Sequence, residues 1–213
     1  MPPANRIAVN AATGAINTEW EMYLRGVDDA VARLKAAVAA ISTFGASLID
    51  DADAAAARVT LGVGQLAALI EDRKSSGASG GSFTAGAWRT RDLNTLAYNR
   101  DSVATLASNR FTLPAGTWLI KWRCPALYVE YHQSQLYNYT ASAAVEPGSN
   151  AFCDNGTESF SQTDSSGQAV VTIAAATAFE IQHQCTRTQA FNGFGAANSF
   201  GTEVYSQTEI WRL

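Results

Sequence analysis

Seven apolar residues near the start of the chain, Trp20, Leu24, Val27, Val31, Leu34, Val38 and Ile41, follow one another at spacings of four and three in turn. This is a heptad repeat, with Leu24, Val31 and Val38 at the a positions and Trp20, Val27, Leu34 and Ile41 at d. An α-helix turns once in about 3.6 residues, so the pattern sets these side chains along one stripe. Thr18 reads as the cap of that helix, and Glu21 three residues on completes a capping box. Leu48 extends the d row, while Gly45 at an a position weakens the last heptad. The g positions carry Tyr23, Ala30, Ala37 and Phe44, and the flanks hold few charges. A wide apolar face suits three strands better than two. Two readings fit the pattern over Thr18–Leu48: a coiled coil about 45 Å long, or an amphipathic helix lying on its own domain. The coiled coil is preferred because the segments that follow offer little to pack against.

Those segments are rich in alanine, with 14 alanines between residues 19 and 72. Asp51–Leu61 reads as a second helix that stops before Gly62, a suitable glycine just past a helix end. Gln65–Asp72 reads as a short third helix. Together they predict a jointed helical stalk over residues 18–74. The first 17 residues are rich in Pro, Asn, Ala and Gly and lack periodicity, so they cannot build a core alone. Beyond residue 74 the grammar changes. A Ser/Gly run over residues 75–82 has the composition of a flexible linker. Residues 83–213 then hold 18 of the 21 aromatic residues.

That second part reads as β-structure, since aromatics favour strands. Arg110–Leu113 is a short strand, followed by a turn at Pro114-Ala115-Gly116. Over Thr117–Cys124, Trp118, Ile120, Trp122 and Cys124 fall on one face and Leu119, Lys121 and Arg123 on the other. Leu127–Tyr139, Ala169–Ile173, Phe179–Cys185 and Glu203–Arg212 are further strands. Tyr139–Gln168 reads as a loop-like segment. Short strands over about 130 residues with Gly, Pro, Ser and Asn turns predict an antiparallel β-sandwich or jelly roll. The fold class expected is therefore α plus all-β: a helical stalk followed by a jelly-roll head at 83–213.

Two regions resemble a known family. The stretches Gly86-Ala-Trp-Arg-Thr-Arg-Asp-Leu-Asn94, Phe111-Thr-Leu-Pro-Ala-Gly-Thr-Trp118, Tyr131-His-Gln-Ser-Gln-Leu-Tyr-Asn138 and Asn192-Gly-Phe-Gly195 resemble the trimeric, tumour-necrosis-factor- or C1q-like heads of bacteriophage tail and head fibres. So does the end of the chain, Phe200-Gly-Thr-Glu-Val-Tyr205 through Trp211. Asn5-Arg-Ile-Ala-Val9, with Thr13-Gly14 and Thr18-Glu-Trp20, resembles the virion-attachment ends of small phage fibres. Asp51–Gly62 resembles a spacer found in tail fibres. The resemblance implies a homotrimer, a virion tail or capsid protein as partner of residues 1–17, and a host receptor at the distal head. It implies framework roles for Leu113–Gly116 and Phe194–Tyr205.

The chemistry of the sequence points to recognition rather than catalysis. There is no Gly-x-Ser-x-Gly elbow, phosphate loop or His-Glu-x-x-His helix. Ten acidic residues lie in the head, and no spacing marks two of them as the carboxylate pair of a glycosidase. His183 and Cys185 share a strand face, with His132 and Cys124 in strands of similar character. Four such ligands suit zinc, but without a Cys-x-x-Cys pair they read as core residues, and no metal or other cofactor is expected. Three cysteines, Cys124, Cys153 and Cys185, read as free buried thiols. The net charge of −4 argues against nucleic acid as a partner. No apolar run is long enough to span a bilayer. The start, MPPANRIAVN, lacks a secretory pattern, so synthesis in the host cytoplasm and residence in the virion are expected.

Sugars bind on flat aromatic faces flanked by amides and carboxylates. Tyr139, Asn150, Phe152, Asp154, Asn155 and Glu158, with Phe191 and Asn192 in a second loop, are the receptor-binding residues expected on this ground. The ligand expected is a host surface polysaccharide. The same aromatics also suit core or trimer-contact roles. The sequence is compatible with a tail fibre, a capsid fibre, a polysaccharide hydrolase or a purely structural trimer.

Overall fold

The structure, a computed structural model, describes residues 9, 13–16, 18–39, 41, 43–61, 64–154 and 161–213. Most of the expected attachment segment, 1–17, lies outside the described residues, as do Asn155 and Glu158. The chain divides into two units, Met1–Gly62 and Val63–Leu213.

In the first unit the heptad segment is helical. Helix α1 spans Thr18–Ala39, and Glu19 and Glu21 in its first turn complement the positive end of its dipole. Thr18 is its first residue rather than its cap. At about 1.5 Å per residue the helix is about 33 Å long. It does not run on to Leu48 as expected. The amide of Ile41 turns back to the carbonyl of Val38 at 3.1 Å, a tightened last turn, and helix α2 (Thr43–Ile49) begins afresh. Hydroxyl side chains compete for backbone hydrogen bonds and favour helix ends, which suits Thr43 to a start. Helix α3 spans Ala54–Thr60 and starts three residues later than expected. Asp53 Oδ1 accepts from the amide of Ala56 at 2.9 Å, which is the contact of an N-cap.

The third expected helix is a strand. Gln65–Lys74 forms β1, paired along its length with the last strand of the chain. Its residues are good helix formers, but a segment of this size follows its tertiary surroundings. Ala68 and Ile70 are fully buried, and the edge of the C-terminal strand supplies its hydrogen-bond partners. The head therefore begins near residue 63 and not at 83.

The Ser/Gly run at 75–82 is not an interdomain hinge but a loop pinned inside the head. The amide of Gly77 donates to Glu203 Oε1 at 3.0 Å, that of Gly80 to the Gly195 carbonyl at 2.9 Å, and Tyr205 Oη to the Ala78 carbonyl at 2.7 Å. A Cβ on Gly80 would sit 2.6 Å from the Phe194 carbonyl oxygen, so only glycine permits this approach.

Ten more strands follow: β2 (Arg89–Thr90), β3 (Thr95–Asn99), β4 (Thr105–Ala107), β5 (Arg110–Leu113), β6 (Gly116–Leu127), β7 (Glu130–Asn138), β8 (Ala143–Cys153), β9 (Gln162–Ile173), β10 (Thr177–Cys185) and β11 (Glu203–Arg212). They form two sheets, ordered β3-β1-β11-β6-β9 and β4-β5-β10-β7-β8, with β2 also on β10. Among the described residues every pairing is antiparallel. From β5 onward the chain passes repeatedly from one sheet to the other, which is the winding of a jelly roll. The segment Tyr139–Gln168, expected as a loop, instead contributes β8 and the start of β9. Its polar alternation is that of strands with one wet face.

The core lies between the sheets. Trp118, Ile120, Trp122 and Cys124 point inward from β6 as their alternation requires, against Ile70, Phe111, Leu136, Phe179, Ile181 and Ile210. A second cluster joins Phe83, Ala126, Val129, Cys153, Cys185 and Phe194. The three cysteines are buried and free.

Candidate functional site

Strand pairing on the outer face of the second sheet sets the site. Gln184 of β10 lies opposite Gln133 of β7, which lies opposite Asn150 of β8. Directly opposed residues share a face, so the three amides form one row across three strands. Two residues along β7 and β8, on the same face, Tyr131 lies opposite Phe152. Their rings meet at 5.0 Å and 55°. Thr186 stands beside them, and its hydroxyl accepts the Tyr131 amide at 3.1 Å. Trp88, just before β2, closes the side next to β10.

Trp88, Tyr131, Gln133, Asn150, Gln184 and Thr186, together with His132, Ala151 and Cys185, line an open depression of about 440 Å³. Small-ligand sites measure roughly 300–1,000 Å³. Tyr131 is 66% exposed, and Trp88 and Phe152 also present their rings to solvent. Gln133 donates to the Gly148 carbonyl at 2.9 Å, which holds the side chain in place. Among the described residues Asn150 and Gln184 form no side-chain hydrogen bond, so their amide groups are available to a ligand.

The neighbouring row on the same face is locked. Gln135 donates to Gln182 at 2.7 Å, Gln182 to Glu180 Oε1 at 2.7 Å, and Arg110 to Glu180 Oε2 at 2.9 Å. The Arg110 guanidinium then covers the Tyr139 ring at 3.5 Å. This ladder stiffens the sheet beside the depression.

Beneath the depression lie the two histidines. His132 Nδ1 and His183 Nε2 are 3.0 Å apart, and His132 Nε2 is 2.9 Å from Thr163 Oγ1. Thr163 donates its own hydroxyl proton to the Phe152 carbonyl at 3.1 Å. It therefore accepts from His132 Nε2–H, so His132 Nδ1 is bare and accepts from His183 Nε2–H. His183 Nδ1 is buried without a partner. Both rings are neutral in this chain of bonds. Burial, with the Arg91 cation adding to it, lowers the His132 pKa to about 4 and that of His183 well below its ordinary value. Arg91 is itself wholly buried, bonded to Ser206 Oγ at 2.7 Å and to the Pro125 and Phe194 carbonyls at 3.1 Å, with the Phe194 ring 3.9 Å away.

Among the described residues no group of three or more His, Cys, Asp or Glu side chains is placed to hold a metal. Burial pushes the Cys124 and Cys185 thiols up to about 11, so neither is a ready nucleophile. The buried carboxylates are engaged in the framework: Glu71 with Arg73 at 2.6 Å, Asp72 with Lys74 at 3.2 Å, Glu180 with Arg110, and Glu203 with the amides of Gly77, Asn198 and Ser199.

Of the residues expected from sequence to bind a receptor, Asn150 lines the depression and Phe152 stacks at its rim. Tyr139 lies under Arg110, outside it. Asp154 follows β8, and its amide donates to Ser161 Oγ. Phe191, 80% exposed, and Asn192 belong to the loop between β10 and β11 and do not line the depression. Trp88, Tyr131, Gln133 and Gln184 were missed, because their sequence neighbourhoods read as framework strands. The legible signal was the alternation of Tyr131 and Gln133 on a strand whose intervening residues are buried.

No known protein family matches the chain, and no characterised protein matches it in sequence. Its fold is similar to the globular domain of zebrafish complement 1qA protein, with 11% identity, 70% of this chain and 98% of that one covered, and a TM-score of 0.43. It is similar to Eiger TNF from S. frugiperda, with 10% identity, 70% and 93% covered, and a TM-score of 0.46. It is also similar to murine APRIL, with 7% identity, 68% and 98% covered, and a TM-score of 0.43.

Proposed function

We propose that the chain is the protomer of a homotrimeric virion fibre or spike that attaches a phage-type particle to a host-cell surface. In this reading residues 1–17 dock on the particle, helix α1 forms the coiled-coil part of the stalk, and the jelly-roll head holds the receptor. The observation that carries it is the aromatic and amide depression on the outer sheet, where exposed rings stand beside a row of three amides. Binding sites of this make-up orient a ligand by a few polar groups on an apolar floor.

Two apolar surfaces support assembly. On α1 the heptad residues Leu24, Val27, Val31, Leu34 and Val38 are exposed in the single protomer, Leu34 to 66%, and no residue of the helix is buried. A helix with such a stripe gains its stability from a partner. On the outer face of the other sheet Leu66, Trp211, Leu119 and Val170 stand directly opposite one another across β1, β11, β6 and β9. Val170 is 62% exposed. Copies of this chain would cover both stripes. Three heads on one particle-bound stalk raise avidity by effective concentration even where one site is weak.

A tail position is the primary reading, and a capsid fibre with the same adhesive role is the alternative. Hydrolysis is the disfavoured alternative, since among the described residues no carboxylate lines the depression to serve as acid, base or nucleophile. Light scattering of the full chain is expected to give three times 22.6 kDa. Purified protein is expected to coat host cells and block infection, without releasing oligosaccharide from their surface polysaccharide. A monomer in solution, or failure to adhere, would overturn this reading.

A further inference from the structure

We infer that the depression between β2, β10, β7 and β8 binds an uncharged saccharide of about two sugar rings, stacked on Tyr131 and Trp88 and hydrogen-bonded by Gln184, Gln133 and Asn150. The inference rests on the adhesive reading above and adds the chemical class of the ligand.

Among the described residues the lining holds no charged side chain. An anionic sugar would need a cation placed to pair with its carboxylate or phosphate, and none lines the depression. Arg187, next to Thr186, pairs with Glu130 at 4.0 Å. Arg89, next to Trp88, turns its Nε to the Thr84 carbonyl at 3.2 Å. The described lining thus offers no cation to an acidic polymer, whereas its rings and amides suit a neutral polyol.

Neutral sugars present two chemistries at once. One is an apolar face of C–H groups, and the other is a belt of hydroxyls, each both donor and acceptor. Exposed rings at Tyr131, Trp88 and Phe152 meet the first. The amide row meets the second, because each amide offers a carbonyl oxygen and an N–H to the paired roles of a hydroxyl. Neighbouring strands lie about 4.8 Å apart, so the row from Gln184 to Asn150 spans about 10 Å. Two residues of strand, about 7 Å, separate the amide row from that of Tyr131 and Phe152. That frame is disaccharide-sized.

The strands hold these groups before any ligand arrives. Gln133 is tied to Gly148, and Tyr131 is braced by Phe152 and by the bond of its amide to Thr186. A preformed row loses little side-chain freedom on binding, which favours affinity.

The test uses the full chain on a printed array that holds neutral hexose and N-acetylhexosamine oligomers, uronic-acid and sialylated oligomers, and choline conjugates. The expected result is binding confined to neutral oligomers. Tyr131→Ala and Asn150→Ala are each expected to lower it at least tenfold without shifting thermal unfolding, since both residues are exposed. Phe200→Ala, at a position 93% exposed and outside the depression, is expected to leave it unchanged. Selectivity for acidic oligomers or choline would overturn the inference, as would neutral binding that survives both substitutions. Array binding that is absent while the protein still coats host cells would refute this inference and leave the adhesive reading standing. Loss of both would refute the two together.

Discussion

Acid should weaken the head through the His132–His183 pair, and the effect can be worked out from the structure. Burial holds His132 at about 4 in the folded head, against 6.5 for an ordinary histidine. Between those values the unfolded chain binds a proton that the folded chain refuses, so stability rises with pH across the window. It is complete above about 6.5 and is lost as pH falls toward 4. At about 1.4 kcal/mol for each pH unit, His132 alone accounts for about 3 kcal/mol over the whole window, and about 2 kcal/mol between pH 7 and pH 5. His183 is driven lower still and acts in the same direction. The structural cause is the hydrogen-bond chain. A proton on His132 Nδ1 would face the His183 Nε2–H, with Arg91 already a buried cation nearby. Asp72, raised chiefly by its own burial, works the opposite way and blunts the slope.

Tryptophan fluorescence reports on this unit, because Trp88, Trp118, Trp122 and Trp211 all lie in it. In a domain of this size about 2 kcal/mol moves the unfolding midpoint by about 4–8 °C. Thermal melts at pH 7 and pH 5 are therefore expected to differ by at least that amount. The double variant His132→Gln, His183→Gln is expected to lose most of the difference, whatever its absolute midpoint. An equal pH dependence in the variant and the parent protein would refute the reasoning, because the slope would then come from other groups.

Gly167 lies opposite Trp122, and a Cβ there would overlap the indole, with Cε2 at 2.7 Å. Gly167→Ala should cost about 1–3 kcal/mol for overpacking, and more if Trp122 Nε1 loses Ser134 Oγ at 2.9 Å; chemical denaturation measures it, and Trp122→Phe should recover part of the loss. Glu203 is held below the usual carboxylate range chiefly by the Gly77 amide, with those of Ser199 and Asn198 adding to it. Its hold on the 75–82 loop is therefore present above the ordinary carboxylate range and lost as pH falls through the depressed value. Hydrogen exchange should show Glu203→Gln opening Gly77, Asn198 and Ser199 at neutral pH, and unchanged protection would count against the role. Placing charge in the helical stripe, as Val31→Asp with Val38→Asp, should lower the helical circular dichroism signal of the full chain, since an unpartnered helix of this length is marginal. An unchanged signal would show that α1 needs no partner.

Much of the architecture was legible because it is written in local periodicity. Alternation on β6 marked Trp118, Ile120, Trp122 and Cys124 as one inward face, and the bounds of β5 and β11 were readable from their flanking turns. The heptads marked α1 as helical. What failed depended on partners far along the chain. Gln65–Lys74 carries a helical composition, yet it is a strand because β11, more than 125 residues later, offers it an edge. The Ser/Gly run looks like a linker, yet Glu203, Gly195 and Tyr205 hold it from across the head. Recognition residues were sought in loops, whereas the depression is built on strands.

By itself the sequence determined which residues repel water and with what period, and that is enough to separate a helical part from a β-sandwich and to name most of the core. Tertiary structure alone decided where the head begins and which polar residues stand together. Gln184, Gln133 and Asn150 are 51 and 17 residues apart in sequence, and only strand register sets them side by side. Register depends on the summed fit of whole strands, a quantity that no single stretch of sequence contains.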